Sequence, residues 1–200
     1  MKNKIIDFMK RLCVSRLTTS LGGNISLKIS DNRILITPSS IDKAELKEDD
    51  IVELDMDGNI IDGKNKPSME FIMHLAVYQI RPDIEAIIHA HPHYSTLFSS
   101  ANIPINLNFT AEACKNIKSI GMAEYKMMGT RELANEVADK TKENNIVLMQ
   151  NHGVLTVGSD LLEAFYRMEV LEQAAKMTYH SLTLSLNELP MDDINYLKTL

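Results

Sequence analysis

The chain has 200 residues and a formal net charge of −6, because 27 acidic side chains outnumber 21 basic ones. Its length suits one domain of ordinary composition, with 44% hydrophobic and 24% charged residues, that folds without a disulfide or metal staple. The acidic balance argues against a nucleic-acid-binding surface and against a basic surface that docks on membranes, since both need clustered Lys and Arg.

The cysteines and the apolar runs bear on where the protein works. Cys13 and Cys114 lie far apart and lack CxxC spacing, so a reduced, cytoplasmic setting fits best. No run approaches ~20 uncharged apolar residues, and charged residues between Lys2 and Arg11 interrupt any signal-peptide core. We therefore expect a cytoplasmic protein without a membrane span.

The first part of the chain predicts a helix followed by two hairpins. Apolar residues at helical spacing from Ile5 to Leu17 indicate an amphipathic helix. Two pairs of short strand-like runs follow, and the second pair flanks Asp57-Gly58, which favours a tight hairpin turn. The runs are residues 25–29 and 34–37 in the first pair, and 51–56 and 59–61 in the second.

The rest of the chain predicts helices alternating with buried strands. An apolar helix begins at Ser68 and stops before Pro82, and the tail after Ser181 has no clear pattern. We expect strands at residues 84–91, 146–149 and 154–157, and helices at residues 94–100, after Thr130 and after Asp160. Interleaved helices, strands and hairpins indicate an α/β or α+β fold with a mixed or largely antiparallel sheet.

Two of the six histidines, His89 and His91, stand two residues apart at the end of a buried strand. Such residues share one face of a strand, about 6–7 Å apart, so two imidazoles can converge on one ion. A catalytic zinc needs a third ligand and an open position, and His152, in a tight loop beside Gly153, is the natural supplier. Spacing alone leaves the metal site and a structural, hydrogen-bonded role equally open.

The other histidines favour structural roles. His93 lies beyond Pro92, where we expect a loop. His74 is four residues after Glu70 on the same helix face, which favours a core residue beside the site over a ligand. His180 is expected to be solvated.

Glu70 and three small turns complete the candidate site. Glu70 at the helix start can serve the helix dipole, or, with a pKa raised by apolar surroundings, it can remove a proton alpha to a carbonyl. The turns are rich in hydroxyl and free amide groups, which suit a phosphate, although each alone is also a plain turn or cap. They are residues 22–24, 37–40 and 66–68.

Five ordered motifs carry a resemblance that is more specific than any one of them. They are Gly23-Asn24-Ile25-Ser26, Ile36-Thr37-Pro38-Ser39, Lys66-Pro67-Ser68-Met69-Glu70, His89-Ala90-His91 and Asn151-His152-Gly153-Val154-Leu155. With these motifs the chain resembles the class II aldolase/adducin family, and within it the sugar-phosphate aldolases. The resemblance runs from about residue 17 to residue 179, and residues 181–200 form a tail beyond it.

The resemblance implies a fold and an assembly. The fold is a single α/β/α domain over residues 1–200 around a mixed, mainly antiparallel sheet, and the assembly is a homotetramer with active sites between subunits. It also implies one zinc ion per subunit, or another divalent metal, held by His89, His91 and His152, with Glu70 as the acid and base. The implied phosphate-binding residues are Asn24, Ser39, Ser40 and Ser68.

The implied reaction is the reversible retro-aldol cleavage of a ketose 1-phosphate, similar to fuculose 1-phosphate or a 5-deoxypentulose 1-phosphate. Zinc polarises the ketone, Glu70 moves a proton, and the C3–C4 bond breaks to give dihydroxyacetone phosphate and an aldehyde. Alternatives on the same fold are a methylthioribulose-1-phosphate dehydratase, a ribulose-5-phosphate 4-epimerase and a non-catalytic adducin-like module. A zinc hydrolase also fits three histidines and a glutamate. The epimerase pattern tends to have Asp at the position of Glu70, which favours the aldolase or the dehydratase.

The chain departs from the family pattern at three places. Met69 stands where a phosphate-binding Ser is common, and Ser40 stands where a Gly is common. Residues 103–113 lack the tyrosine that fuculose-phosphate aldolases bring in from a neighbouring subunit. Tyr196 in the tail is the candidate for a mobile acid in its place.

Overall fold

One eight-stranded sheet runs through the computed structural model, which describes all 200 residues. The strand order is β4-β3-β2-β1-β5-β8-β7-β6, and only β6 and β7 pair in parallel. The predicted mixed, mainly antiparallel sheet is therefore confirmed. The strands are β1 (Asn24–Ser30), β2 (Arg33–Ile36), β3 (Val52–Asp55), β4 (Ile60–Asp62), β5 (Ala86–Ala90), β6 (Gly121–Ala123), β7 (Ile146–Met149) and β8 (Gly153–Gly158).

Helices cover both faces of the sheet and give it two apolar cores. Helices α1, α3, α4 and α6 pack with one face, and α2 and α5 pack with the other. The α/β/α layers implied by the resemblance are thus present. The helices are α1 (Lys2–Val14), α2 (Phe71–Ile80), α3 (His93–Ala101), α4 (Ala111–Asn116), α5 (Arg131–Thr141), α6 (Leu161–Ser181) and α7 (Met191–Leu197). None of them is both long and apolar enough to span a bilayer.

The central strand β5 divides its side chains between these two cores. Ala86, Ile88 and Ala90 belong to the core under α1, α3 and α6, whereas Ile87 belongs to the core under α2 and α5. Because successive side chains of a strand alternate between faces, His89 lies on the same side as Ile87. The period of the strand therefore directs His89 toward the start of α2.

The sequence prediction placed the start of α2 too early and placed His93 outside a helix. The helix begins at Phe71, because Ser68 and Met69 form a turn in which the Ser68 Oγ accepts the N–H of Glu70 at 3.3 Å. Glu70 occupies the N-cap position and makes no side-chain cap bond, so its carboxylate is free to point elsewhere. His93 is the first residue of α3 rather than a loop residue, with Pro92 at the cap.

The tail contains a helix that its weak pattern did not predict. Helix α7 packs on α4 through Ile194, which is buried, and the thiol of Cys114 lies 3.9 Å from the carbonyl oxygen of Ile194. The N–H of Leu189 donates to the carbonyl of Asn108 at 2.9 Å. The tail thus docks on its own chain.

Glu172 of α6 holds the start of α3, which follows directly after the His89–His91 segment. Its carboxylate accepts the N–H groups of Tyr94 and Ser95, each at 2.9 Å, and the hydroxyl of Ser95 at 2.7 Å. These bonds satisfy amide groups that a helix leaves without partners in its first turn. The contact ties α3 to α6 on this face of the sheet.

We expect Glu172→Ala to lower the free energy of unfolding by about 1.5–3 kcal/mol, since hydrogen bonds to a charged group are among the stronger ones. Denaturant unfolding followed by circular dichroism measures this change. Glu169→Ala is the matched control, because Glu169 lies one turn away and approaches Arg11 only to 3.9 Å at the surface. It should change stability by less than about 0.5 kcal/mol. Equal unfolding midpoints for the two variants would refute the role of Glu172.

Candidate metal centre

Three histidines from two separate parts of the chain meet at one end of the central strands. His89 is the next-to-last residue of β5, His91 follows that strand, and His152 lies in the turn between β7 and β8. Their ring nitrogens available to a metal lie within 4.8 Å of one another. The ring centroids are 4.7 Å apart for His89 and His91, 4.8 Å for His89 and His152, and 5.6 Å for His91 and His152. The arrangement is close enough for the three rings to bind one divalent ion.

The turn that presents His152 depends on two residues beside it. Asn151 adopts a left-handed conformation with φ of 54°, which asparagine tolerates better than most residues. Gly153 lies against the other two histidines. A Cβ atom there would come within 2.6 Å of both the Ala90 carbonyl oxygen and the His91 Cδ2. Only glycine lets the turn approach β5 this closely.

His89 is oriented by a hydrogen bond on the side of its ring away from the cluster. Its Nδ1–H donates to the carbonyl oxygen of Val154 at 2.9 Å, because a carbonyl can only accept. In the neutral ring, Nε2 then carries the lone pair and faces the cluster. Metal-binding histidines characteristically use their second nitrogen in this way.

Glu70 inserts its carboxylate between His89 and His152. Its Oε2 lies 3.1 Å from the His89 Nε2, and its Oε1 lies 3.2 Å from the His152 Nε2. Glu70 is only 5% exposed. Three buried atoms of the cluster nevertheless lack an aligned hydrogen-bond partner: Glu70 Oε1, His89 Nε2 and His152 Nδ1. Buried polar atoms without partners are rare and costly, and a cation among them would satisfy this donor set.

The Glu70 carboxylate and the His89 ring stabilise each other's charge: burial lowers the pKa of His89, but the charge of Glu70 outweighs it and raises that pKa. Burial raises the pKa of Glu70, but the positive charge of His89 and the contact with His152 outweigh it and hold that pKa well below its usual range. The predicted raised pKa was therefore wrong, because the sequence did not reveal which cations face this carboxylate. Burial and the charges of His89 and His152 lower the pKa of His91 to about 3. A neutral His91 has a lone pair available to a metal.

A buried series of hydrogen bonds through Asn24, His74 and Ser26 positions the Glu70 carboxylate. The Asn24 Nδ2 donates to the Glu70 Oε2 at 3.0 Å, and the His74 Nε2 lies 2.6 Å from the Asn24 Oδ1. Since an amide oxygen only accepts, the His74 Nε2 must carry the hydrogen. Burial and the nearby charge of His89 lower the pKa of His74 to about 3, so its ring is neutral and its Nδ1 accepts from the Ser26 Oγ at 2.7 Å.

Tyr78 ends this series, with its hydroxyl 2.9 Å from the Ser26 Oγ and 3.1 Å from the Glu85 carbonyl oxygen. The bonds from Ser26 onward thus all donate in the direction of Glu70, which stabilises its negative charge and fixes its position. His74 is a core residue beside the cluster, as predicted, and not one of the three clustered histidines. The sequence analysis missed the series, although a signal existed in the spacing of four between Glu70, His74 and Tyr78 on one helix face.

The predicted phosphate-binding turns line the same cleft as the cluster. The Ser39 N–H donates to the Lys66 carbonyl at 3.0 Å, and the Ser68 N–H donates to the Thr37 carbonyl at 3.1 Å, so two of the turns are joined. Ser40 has a left-handed φ of 58°, which is the reason that a glycine suits this position. The residues that line this cleft are Leu21, Gly22, Gly23, Asn24, Ser39, Ser40, Lys43, Ser68, Met69, Glu70, His91 and Met128.

The cleft contains one residue that the sequence analysis missed, Lys43, and lacks one that it proposed, Tyr196. Lys43 lines the cleft. The sequence did not indicate this, because Lys43 lies in a segment rich in other charged residues. Tyr196, the candidate mobile acid, lies on α7, is 65% exposed and does not line the cleft of its own chain. Its role stays a prediction that would require the cleft of a second copy of this chain.

Comparisons with known proteins identify relatives along nearly the whole chain. The family model described as "Class II Aldolase and Adducin N-terminal domain" matches residues 3–179. An L-fuculose phosphate aldolase of Methanocaldococcus jannaschii is 40% identical over 177 residues, which cover 88% of this chain and 94% of the relative. A 5-deoxy-D-ribulose 1-phosphate aldolase of Bacillus thuringiensis serovar kurstaki is 33% identical over 202 residues, which cover 98% and 92%.

A solved structure of similar fold agrees with these relatives. It is an L-fuculose 1-phosphate aldolase that superposes with a TM-score of 0.88 at 36% sequence identity. The match covers 99% of this chain and 94% of that structure. The likeness therefore includes the whole sheet and the helices on both of its faces.

We expect Gly153→Ala to weaken divalent-metal binding by at least about 10-fold, because the added Cβ must displace His91 or the β5 backbone. Titration of the metal-stripped protein with Zn²⁺, followed by calorimetry, measures this affinity. Gly121→Ala is the control, since Gly121 lies in β6 and a Cβ there would meet side-chain atoms of Asn144 and Lys140 at 3.1 Å rather than a histidine. Unchanged zinc affinity in Gly153→Ala would show that the close approach of the turn does not position the histidines.

Proposed function

Because the chain belongs to the class II aldolase and adducin family and is a class II aldolase, we propose that it cleaves a ketose 1-phosphate. The products are dihydroxyacetone phosphate and an aldehyde, and the reaction is reversible. The observation that carries the proposal is the cleft in which Glu70 and His91 lie beside Ser39, Ser40 and Ser68. The names of the relatives, a fuculose phosphate aldolase and a 5-deoxyribulose 1-phosphate aldolase, support this substrate class.

A divalent metal fits the donor set, and we propose that it is zinc, one ion per chain, held by His89, His91 and His152. The unpartnered His89 Nε2 supports the assignment. So does the bond from the His89 Nδ1 to Val154. When bound, such an ion supplies Lewis-acid chemistry that draws electron density from the substrate carbonyl.

Glu70 is the proposed acid and base. Its buried carboxylate lies beside the cluster, 3.1 Å from the His89 Nε2, which suits removal of a proton from C3 of dihydroxyacetone phosphate in the condensation direction. In the cleavage direction, the protonated carboxyl returns that proton to C3. Asn24 donates a hydrogen bond to the Glu70 Oε2, so it holds the carboxylate in place while the proton moves.

The protons and electrons of the proposed reaction balance without a further reactant. In cleavage, a proton leaves the C4 hydroxyl, the C3–C4 bond breaks, and its electron pair forms the C2–C3 double bond of an enediolate, whose negative charge is on the C2 oxygen. The C4 oxygen becomes the aldehyde oxygen, and C3 receives one proton from Glu70. One proton leaves the substrate and one enters it, so net proton uptake is zero. We propose Tyr196 of a neighbouring subunit as the group that exchanges the proton at the C4 oxygen.

The phosphate end of the substrate is proposed to bind at Asn24, Ser39, Ser40 and Ser68. The serine hydroxyls of the joined turns and the side-chain amide of Asn24 suit a phosphate, because each can donate a hydrogen bond to an anionic oxygen. We further propose a cytoplasmic homotetramer with active sites at subunit interfaces, in keeping with the exposed position of Tyr196.

Dehydration of methylthioribulose 1-phosphate and 4-epimerisation of ribulose 5-phosphate remain alternative reactions, and the relatives described above bear neither name.

The product distinguishes these reactions. We expect the zinc-loaded protein to release dihydroxyacetone phosphate from fuculose 1-phosphate or 5-deoxyribulose 1-phosphate, measured by a coupled reductase that oxidises NADH. Loss of water, inversion at C4, or hydrolysis without carbon–carbon cleavage would instead identify the dehydratase, the epimerase or a hydrolase. A metal-loaded protein that turns over none of these substrates would point to the adducin-like binding module.

Two substitutions separate metal binding from proton transfer. His91→Ala should abolish stoichiometric metal binding and activity, because two ligands remain. Glu70→Gln should retain the metal and lose about 10²–10⁴-fold in kcat, the usual contribution of a general acid or base. His93→Ala is the control, since His93 is exposed and two residues away from His91. Metal analysis and kcat are measured for all three. Near-normal kcat in Glu70→Gln would remove Glu70 from its assigned role.

A further inference from the structure

We propose that the ammonium group of Lys43 supplies the positive charge that pairs with the substrate phosphate. Lys43 thereby selects phosphorylated over unphosphorylated sugars. The inference rests on the proposed function, because it assigns a new residue to the phosphate end of the same cleft. Lys43 lines that cleft together with Ser39, Ser40 and Ser68. It is the one basic side chain among the residues that line it, apart from the histidine of the metal cluster.

The position of Lys43 is unusual for a lysine. It is only 2% exposed, and lysines are almost never buried to this degree unless they are paired. No carboxylate lies within ion-pair distance of its ammonium group. Its Nζ donates to the carbonyl oxygen of Pro38, a neutral partner. At most one of the three N–H groups is used there, so donors remain for another ligand.

The surroundings of Lys43 leave its positive charge uncompensated. Burial lowers the pKa of Lys43 to about 8, with the nearby Cys13 opposing that shift. Burial and the neighbouring Asp42 raise the pKa of the Cys13 thiol, so Cys13 is uncharged at neutral pH. The Asp42 carboxylate is exposed and accepts the N–H of Ala44 at 3.0 Å. A buried charge without a partner is costly, and an anion that enters the cleft would remove that cost.

The backbone aims Lys43 at the turns that we assign to phosphate. Its N–H donates to the carbonyl of Ser20 at 2.8 Å, which anchors the lysine beside the Gly22-Gly23 turn. Its Nζ reaches across to Pro38, directly before Ser39. The ammonium thus lies at the turn of residues 37–40, while the backbone of the lysine is held near the turn of residues 22–24. Neutral hydroxyl and amide donors alone would leave the charge of a phosphate dianion unbalanced, whereas Lys43 supplies one positive charge.

This assignment predicts a specific kinetic effect of Lys43→Gln, which removes the charge and keeps an amide donor. The dissociation constant of inorganic phosphate and the KM for the ketose 1-phosphate should each rise by at least about 10-fold, as for the loss of one partner of a buried charge pair. We expect kcat to change by less than about 3-fold and metal content to stay at the wild-type value. For the corresponding unphosphorylated ketose, kcat/KM should stay within about 2-fold of wild type.

The matched control is Lys47→Gln, four residues along the same segment, where the lysine is exposed. It makes the same change of charge and should leave phosphate binding unaltered. A lysine that only braces the Pro38 turn gives a different result. Then Lys43→Gln would lower kcat/KM equally for phosphorylated and unphosphorylated ketoses, or would bind phosphate as tightly as the wild type. Either outcome overturns the assignment.

A second measurement on the unmodified protein guards against misfolding of the variant. Inorganic phosphate should slow the acetylation of Lys43 by an N-hydroxysuccinimide ester at least about 5-fold, read by peptide mass spectrometry, and leave Lys47 unaffected. Equal acetylation of Lys43 with and without phosphate overturns the assignment. If wild type binds phosphate through Lys43 but releases no dihydroxyacetone phosphate, the retro-aldol reaction fails and the anion site stands. If the protein releases dihydroxyacetone phosphate but Lys43 does not bind phosphate, the retro-aldol reaction stands and the Lys43 assignment fails.

Discussion

The site depends on the balance of charge within a small, nearly dry space. Three imidazoles and the Glu70 carboxylate meet there, with Glu70 oxygens 3.1 Å and 3.2 Å from ring nitrogens of His89 and His152. Without a cation, atoms on both sides lack aligned hydrogen-bond partners. A divalent ion bound by the three rings beside the carboxylate would give the His89 Nε2 and the Glu70 Oε1 a partner. A buried charge also needs a partner at the other end of the cleft, where we assign an anion to the unpaired ammonium of Lys43.

The fold supplies the site by joining rigid elements rather than long loops. Strand β5 carries His89, His91 follows directly after the strand, and the tight turn after β7 brings His152 to the same end of the sheet. Glu70 comes from the start of α2, and the hydrogen bonds through Asn24, His74 and Ser26 tie that helix to β1. The groups that react and the groups that hold them therefore belong to the same buried framework, which limits their motion.

The sequence predicted the parts of the site that local periodicity determines. The spacing of His89 and His91 required only a strand, and the position of His152 required only a tight turn between two strands. The family motifs then joined these pieces. Helix α7, strand β6 and helix α4 were missed because they have seven, three and six residues, too few for periodicity to appear. The pKa of Glu70 and the burial of Lys43 depend on contacts between distant segments, which periodicity does not record.

X-ray absorption spectroscopy at the metal edge of the purified, metal-loaded protein tests the central claim most directly. For zinc, we predict one ion per chain with three imidazole nitrogens at about 2.0–2.1 Å and oxygen in the remaining shell. A chain that retains no divalent ion at neutral pH, or a bound ion whose shell contains fewer than three imidazole nitrogens, would contradict it. Either result would mean that the three histidines meet for a reason other than metal binding.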